Sequence, residues 1–125
     1  MTRARRLLAI ACLGLAAGCA SAGPSEDNGP RPDPVRLEVE NRATYNVVVY
    51  ALYGGQQHRI GEATALGDQR MTLPRAIPDG VRVRFQLDPI GPPTEFLSQD
   101  FFLDGGDVVS IRIQPNIRQS TVSIR

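Results

Sequence analysis

From Val35 onward the chain alternates apolar and polar residues with a period of two. In VRLEVEN, residues 35–41, Val35, Leu37 and Val39 are separated by Arg36 and Glu38 and followed by Glu40. In VRVRFQLD, residues 81–88, Val81, Val83, Phe85 and Leu87 are separated by Arg82, Arg84 and Gln86 and followed by Asp88. Successive side chains of an extended chain point to opposite sides, so each run predicts a strand with one buried and one wet face. The run YNVVVYALY, residues 45–53, is apolar on both faces and suits a central strand. Val109, Ile111 and Ile113, then Val122 and Ile124, repeat the half-buried pattern near the C-terminus. No window of ten or more residues in this part carries the three-and-four spacing of an amphipathic helix.

Turn residues fall between these runs: Gly54-Gly55, Leu66-Gly67-Asp68, Pro78-Asp79-Gly80, the proline-rich residues 88–93, Asp104-Gly105-Gly106-Asp107 and Pro115-Asn116. Each supplies positive φ or a fixed proline φ where a strand must reverse. The result is seven or eight strands at spacings of about 8–12 residues, which predicts an all-β domain over residues 35–125. The expected architecture is a single antiparallel β-sandwich, immunoglobulin-like in build, although the chain has no Trp and no cysteine pair of the antibody kind. Asp104-Gly105-Gly106-Asp107 reads as a tight hairpin, with both glycines at positive φ and the two Asp residues facing each other at its mouth.

Residues 1–34 follow a different pattern. Arg3, Arg5 and Arg6 precede an apolar run from Leu7 to Leu15, and Ala16-Ala17-Gly18 leads into Cys19. A basic start, a short apolar run and a patch of small residues are the three parts of a secretory signal peptide. The run is shorter than the roughly 20 apolar residues that a spanning helix needs. An ordinary signal site requires no cysteine, and the stretch LAAGC, residues 15–19, resembles the lipobox of bacterial lipoproteins. That resemblance implies that residues 1–18 are a lipoprotein signal peptide, and that Cys19 receives a diacylglyceryl group and becomes the mature N-terminus. It also implies attachment to the bacterial cell envelope, with Ala20 after the cysteine pointing to the periplasmic face of the outer membrane. Residues 19–34 then form a lipidated, disordered tether. Its stretch ASAGPSEDNGPRPDP has four prolines and no apolar residue larger than Ala, a composition that buries too little surface to fold. As a flexible coil such a segment spans about 20 Å.

A second likeness lies inside the β segment. VVVYALYGG, residues 47–55, then RIGEA, residues 59–63, then MTLPRAIPDGVRVRF, residues 71–85, resemble the small PEGA repeat of bacterial surface proteins. There a strand ends in a Gly-containing hairpin, an Ile-Gly or Leu-Gly pair follows, and a Leu-Pro turn precedes a Val-rich strand. The resemblance implies a surface β module and assigns no functional residue.

Charge and rare residues narrow the chemistry. The formal charge is +1, but beyond the signal segment 11 Arg stand against 13 acidic residues, a balance of −2. Nucleic-acid binders need clustered positive charge, so no nucleic acid is expected as a partner. Cys12 falls in the discarded signal and Cys19 is the acylated residue, so no disulfide supports the fold and the hydrophobic core must hold it alone. His58 is the only histidine, which leaves no paired-histidine mechanism. Ser98, Ser110, Ser120 and Ser123 are formal partners for it, yet no Gly-x-Ser-x-Gly elbow frames any of them. The two carboxylates of Asp104 and Asp107 fall short of the six to eight oxygens that calcium takes. Glu38 and Glu40 share one strand face at about 7 Å, close to the carboxylate gap of some glycosidases and equally ordinary for an exposed strand. No catalytic residue, metal ligand or cofactor is expected.

Aromatic residues are the remaining candidates. Adjacent Phe101 and Phe102 cannot enter the same core layer. Phe101 shares parity with Leu103, which leaves Phe102 on the opposite face. Phe102, Tyr50 and Tyr53 are therefore the candidate binding residues, since aromatics shown on a β face are common anchors. The expected function is that of a noncatalytic lipid-anchored envelope protein, an interaction or accessory module whose partners are membrane lipid, through acylated Cys19, and an envelope protein. The alternative is a binding domain for a small ligand, glycan or peptide, which requires a concave patch that includes Tyr50, Tyr53 or Phe102.

Overall fold

The computed structural model describes residues 33–125. The signal segment, Cys19 and the tether as far as residue 32 lie outside the described residues. The described chain is all-β, with strands β1 (Arg36–Asn41), β2 (Val47–Tyr53), β3 (Gln56–Ala63), β4 (Asp68–Thr72), β5 (Arg82–Pro89), β6 (Phe96–Phe102), β7 (Val108–Ile113) and β8 (Thr121–Ile124). A short 3-10 turn, Ile117–Gln119, precedes β8. The strands form two four-stranded sheets, ordered β4-β1-β7-β8 and β3-β2-β5-β6, packed face to face as a sandwich.

The alternating runs supply the inner faces. Leu37 and Val39 of β1 and Val109, Ile111 and Ile113 of β7 line the first sheet; Val47, Val49 and Ala51 of β2 and Val83, Phe85 and Leu87 of β5 line the second. Phe85 is the largest of the fully buried side chains. Both runs that are apolar on every second residue lie in the middle of their sheets or beside it, where neighbours cover their backbone on each side. β2, apolar throughout, is also internal, between β3 and β5, and its outward Val48, Tyr50 and Leu52 are half-buried.

Neighbouring strands are antiparallel except β1 and β7, which run parallel in the register Leu37↔Val109 to Asn41↔Ile113. Parallel neighbours need a crossover instead of a hairpin. Here the crossover takes in all four strands of the second sheet and β4 of the first, and the closing connection is the Asp104-Gly105-Gly106-Asp107 stretch. That stretch therefore is no hairpin: β6 and β7 belong to different sheets. It is a turn in which the Asp107 N–H donates to the Asp104 carbonyl at 3.1 Å and the Asp107 carboxylate accepts from the Asp104 N–H at 2.9 Å. Only Gly106 of the glycine pair has positive φ, at 89°. By contrast Gly54 and Gly55, at φ 59° and 74°, form the two-residue hairpin loop between β2 and β3 that two successive positive φ values demand.

The Leu66-Gly67-Asp68 turn also differs from expectation. Leu66, with φ 57°, takes the left-handed conformation, and Gly67 does not. A Cβ on Gly67 would meet the Thr64 carbonyl oxygen at 3.4 Å, an ordinary van der Waals contact, so neither φ nor space calls for the glycine, and the leucine bears the strain.

These connections define two ends. The chain enters β1 beside the β2–β3 hairpin, the β4–β5 connection and the β6–β7 turn; there the Asp33 carbonyl accepts from the Gly106 N–H at 2.9 Å. At the far end lie residues 42–46, 64–67, 90–95 and 114–120. Buried Asn41 organises that end: its Oδ1 accepts from the Ala43 N–H at 2.9 Å and its Nδ2 donates to the Tyr45 carbonyl at 3.0 Å.

Candidate functional site

The outward faces of the two sheets differ in chemistry. On the first sheet, cross-strand register sets Glu38 between Arg70 and Ser110, and Glu40 between Asp68 and Arg112. Ser110 lies opposite Ser123, and Arg112 opposite Thr121. The result is a shallow polar hollow. Glu40 accepts from Arg42 Nε at 2.8 Å and from Arg112 Nε at 3.1 Å. The Arg42 hydrogen bond foremost, and then Arg112, hold its carboxyl below the ordinary carboxylate range. Glu38 pairs with Arg125. Both carboxylates thus face guanidinium groups, Arg112 from the rung opposite Glu40, Arg42 from two residues along the same chain and Arg125 from just beyond β8, so the pair reads as surface charge matching.

The second sheet shows apolar and aromatic groups among charges. Phe102 ends β6 and is 63% exposed, with Leu97 47% exposed on the same strand. Phe102 lies opposite Arg82, whose guanidinium carbon is 5.7 Å from the ring centroid, within the range of a cation–π contact. Phe101 points the other way, packs against the core and places its ring 6.1 Å from that of Phe85. The inward and outward assignment of this pair follows the parity expected from the sequence.

Leu97 had no such signal. It is five positions before Phe102, and in a regular strand the two would face opposite sides. A bulge reverses this: Arg84 pairs with Asp100 and Gln86 with Leu97, so β6 spends an extra residue between those rungs. One inserted residue flips the parity of everything beyond it. Leu97 and Phe102 consequently share the outer face, and Phe96 and Phe101 both pack inward.

Tyr50 is on this outer face too, between Arg59 on β3 and Gln86 on β5. Two strand spacings and four residues separate it from Phe102, about 17 Å along the sheet. The intervening surface holds the Arg84–Asp100 ion pair at 3.2 Å and the Gln57–Gln86 hydrogen bond at 2.8 Å. Tyr53 is not part of this face. It packs against the core, at an odd separation from Tyr50, with its ring 6.2 Å from that of His58. The three candidate binding residues are thus not one patch: Tyr50 and Phe102 are distant points on one surface and Tyr53 is on the other side of its strand.

The serines considered as partners of His58 are placed elsewhere. Ser110 and Ser123 are on the first sheet, whereas His58 is on β3 at the edge of the second. Ser98 Oγ is committed to the backbone, accepting from the Phe85 N–H at 2.9 Å and donating to the Gln99 carbonyl at 2.8 Å. Ser120 Oγ accepts from the Gln114 N–H at 3.0 Å. His58 Nε2 is buried with no hydrogen-bond partner among the described residues. Among the described residues no three His, Cys, Asp or Glu side chains gather as a metal site.

The class defined by these observations is an eight-stranded β-sandwich with one charge-paired outer face and one that exposes scattered apolar anchors. The chain matches no protein-family model, no curated protein and no solved structure.

Proposed function

We propose that the protein is a noncatalytic, lipid-anchored module of the bacterial cell envelope, acylated at Cys19 and carried on the periplasmic face of the outer membrane. In this reading it works by surface contact with an envelope protein, and the contact surface is the outer face of the second sheet around Tyr50 and Leu97. The observation that supports the reading is the 47% exposure of Leu97 on a face where Tyr50 and Gln86 adjoin it across the rungs. Large apolar groups flanked by polar ones are the usual make-up of a contact centre and its rim.

The test uses the full chain in its bacterial host. A photo-crosslinking residue at Leu97 should give one discrete protein adduct, which the same residue at Ser123, on the opposite sheet, does not. Leu97→Asp should abolish binding of that purified partner. Equal adducts from both faces, or none from Leu97, would overturn the assignment of the surface. Incorporation of a clickable fatty acid, lost in Cys19→Ala, tests the anchor separately.

A further inference from the structure

We infer that the end of the sandwich at which the chain enters rests on the lipid surface, with the Phe102 ring seated in the headgroup layer and the Arg82 guanidinium beside it. This inference rests on the reading of Cys19 as the acylated residue. It assigns a different occupant to Phe102 from the protein partner proposed for the Leu97 region.

Three observations carry it. The first is where the chain outside the described residues joins the domain. Asp33 is bound through its carbonyl to the Gly106 N–H, in the same connection that begins just after Phe102. An anchor at Cys19 leaves only residues 20–32 between lipid and this end, a length of chain that reaches at most about 45 Å. The end that carries Phe102 is therefore the end nearest the bilayer, and Ile90 and Leu66 are carried at the far end.

Second, Phe102 is set at the rim. It pairs with Arg82 in the last rung of β6 and the first of β5, beyond which the chain turns away into Leu103, itself buried. The ring is 63% exposed with no strand beyond β6 to cover it. An apolar ring at a membrane surface buries at the boundary between headgroups and acyl chains, as the Phe, Trp and Leu side chains of interfacial helices do.

Third, the partner over the ring suits that layer. Arg82 presents its guanidinium at 5.7 Å from the ring centroid and reaches Asp100 only at 3.9 Å, whereas Arg84 holds the same carboxylate at 3.2 Å. Arg82 can turn to a lipid phosphate with Asp100 still paired by Arg84. Guanidinium and phosphate match as a bidentate pair. Acidic Asp79, Asp104 and Asp107 lie at the same end as Arg36, Arg75 and Arg125, so the apolar contact and not net charge must supply the attraction.

The chain has no Trp, so a single substitution installs a specific reporter. Acylated full-length Phe102→Trp and, as the far-end comparison, Ile90→Trp are reconstituted in vesicles of phosphatidylethanolamine and phosphatidylglycerol and recovered by flotation. Phe102→Trp should show blue-shifted emission that is largely lost when the lipids carry nitroxide near the headgroup. Ile90→Trp should keep water-like emission and remain quenched by aqueous iodide. The same Phe102→Trp result in vesicles of phosphatidylcholine alone supports an apolar contact.

If the protein floats with vesicles while the indole of Phe102→Trp stays in water, the docking is overturned and the anchor stands. If the matured chain does not float, the anchor fails and the inference falls with it. A blue shift already present without vesicles and dependent on protein concentration would assign Phe102 to contact between two copies and overturn the lipid assignment.

Discussion

The hydroxyl of Ser98 occupies the place of a missing rung opposite Phe85. Where β6 bulges, the Phe85 N–H would face no strand carbonyl, and Ser98 Oγ accepts it at 2.9 Å. The serine is buried, and its hydroxyl is bonded to the backbone of the largest fully buried residue of the core. A buried N–H left without an acceptor costs about 1–3 kcal/mol, so a small hydroxyl here is what lets the bulge exist. Ser98→Ala should lower the unfolding free energy by about 1–3 kcal/mol, read from urea denaturation at an unchanged m-value. Equal stability would mean that another acceptor reaches Phe85.

The Phe101–Phe102 step predicts an asymmetry between neighbours. Phe101→Ser removes a ring packed beside Phe85 and sets a hydroxyl in the core, which should cost about 3 kcal/mol or more. Phe102→Ser, at a 63% exposed position, should stay within about 0.5 kcal/mol of the parent. Thermal melts of the two variants check this, and comparable losses would place Phe102 in a second packed layer.

Leu66 offers a substitution that should stabilise. Its backbone is left-handed at φ 57° and its side chain is 70% exposed, so the residue carries conformational strain with little burial in return. A left-handed non-glycine residue costs about 1–2 kcal/mol, and the greater unfolded-state entropy of glycine offsets about half of that. Leu66→Gly should raise the unfolding free energy by about 0.5–1 kcal/mol. A lower denaturation midpoint would show that the exposed leucine is packed by something more than solvent.

Glu40 predicts a pH signature. Its folded carboxyl is held below the ordinary value of 4.5, by the Arg42 hydrogen bond first and Arg112 after it. A group whose folded pKa is depressed contributes its stability above the unfolded pKa and loses it as pH falls through the folded one. The glutamate and both arginines are partly open to solvent, which screens the interaction, so the contribution is small. Glu40→Gln should be slightly less stable than the parent at neutral pH, with the difference vanishing as the pH drops through Glu40's lowered pKa. A difference that persists in acid would mean the glutamate acts through packing.

The strands and their inward faces were legible in the chain because side-chain parity is a local property. Leu37 and Val39, Val83, Phe85 and Leu87, and Val109, Ile111 and Ile113 alternate without interruption, and all are buried. The exposure of Phe102 followed from the same rule, since an adjacent aromatic pair must split across a sheet. Cys19 lies outside the described residues, and its role remains with the lipobox-like residues around it.

What only the tertiary structure decided is which strands meet and where parity breaks. Alternation says that β1 has a core face, but the same face fits any neighbour, and only the assembled sandwich sets β1 between β4 and β7 with the β7 pairing parallel. The same indifference made Asp104-Gly105-Gly106-Asp107 look like a hairpin, because turn residues specify a reversal and not the sheet that the next strand joins. The bulge at Ser98 put Leu97 on the same outer face as Phe102, and no local pattern marks it: the extra residue is accommodated where a hydroxyl from one strand meets an orphaned N–H of another. Local sequence sets the direction of each side chain relative to its neighbours, whereas register, pairing and the shared surface of Tyr50, Leu97 and Phe102 depend on hydrogen bonds between segments far apart in the chain.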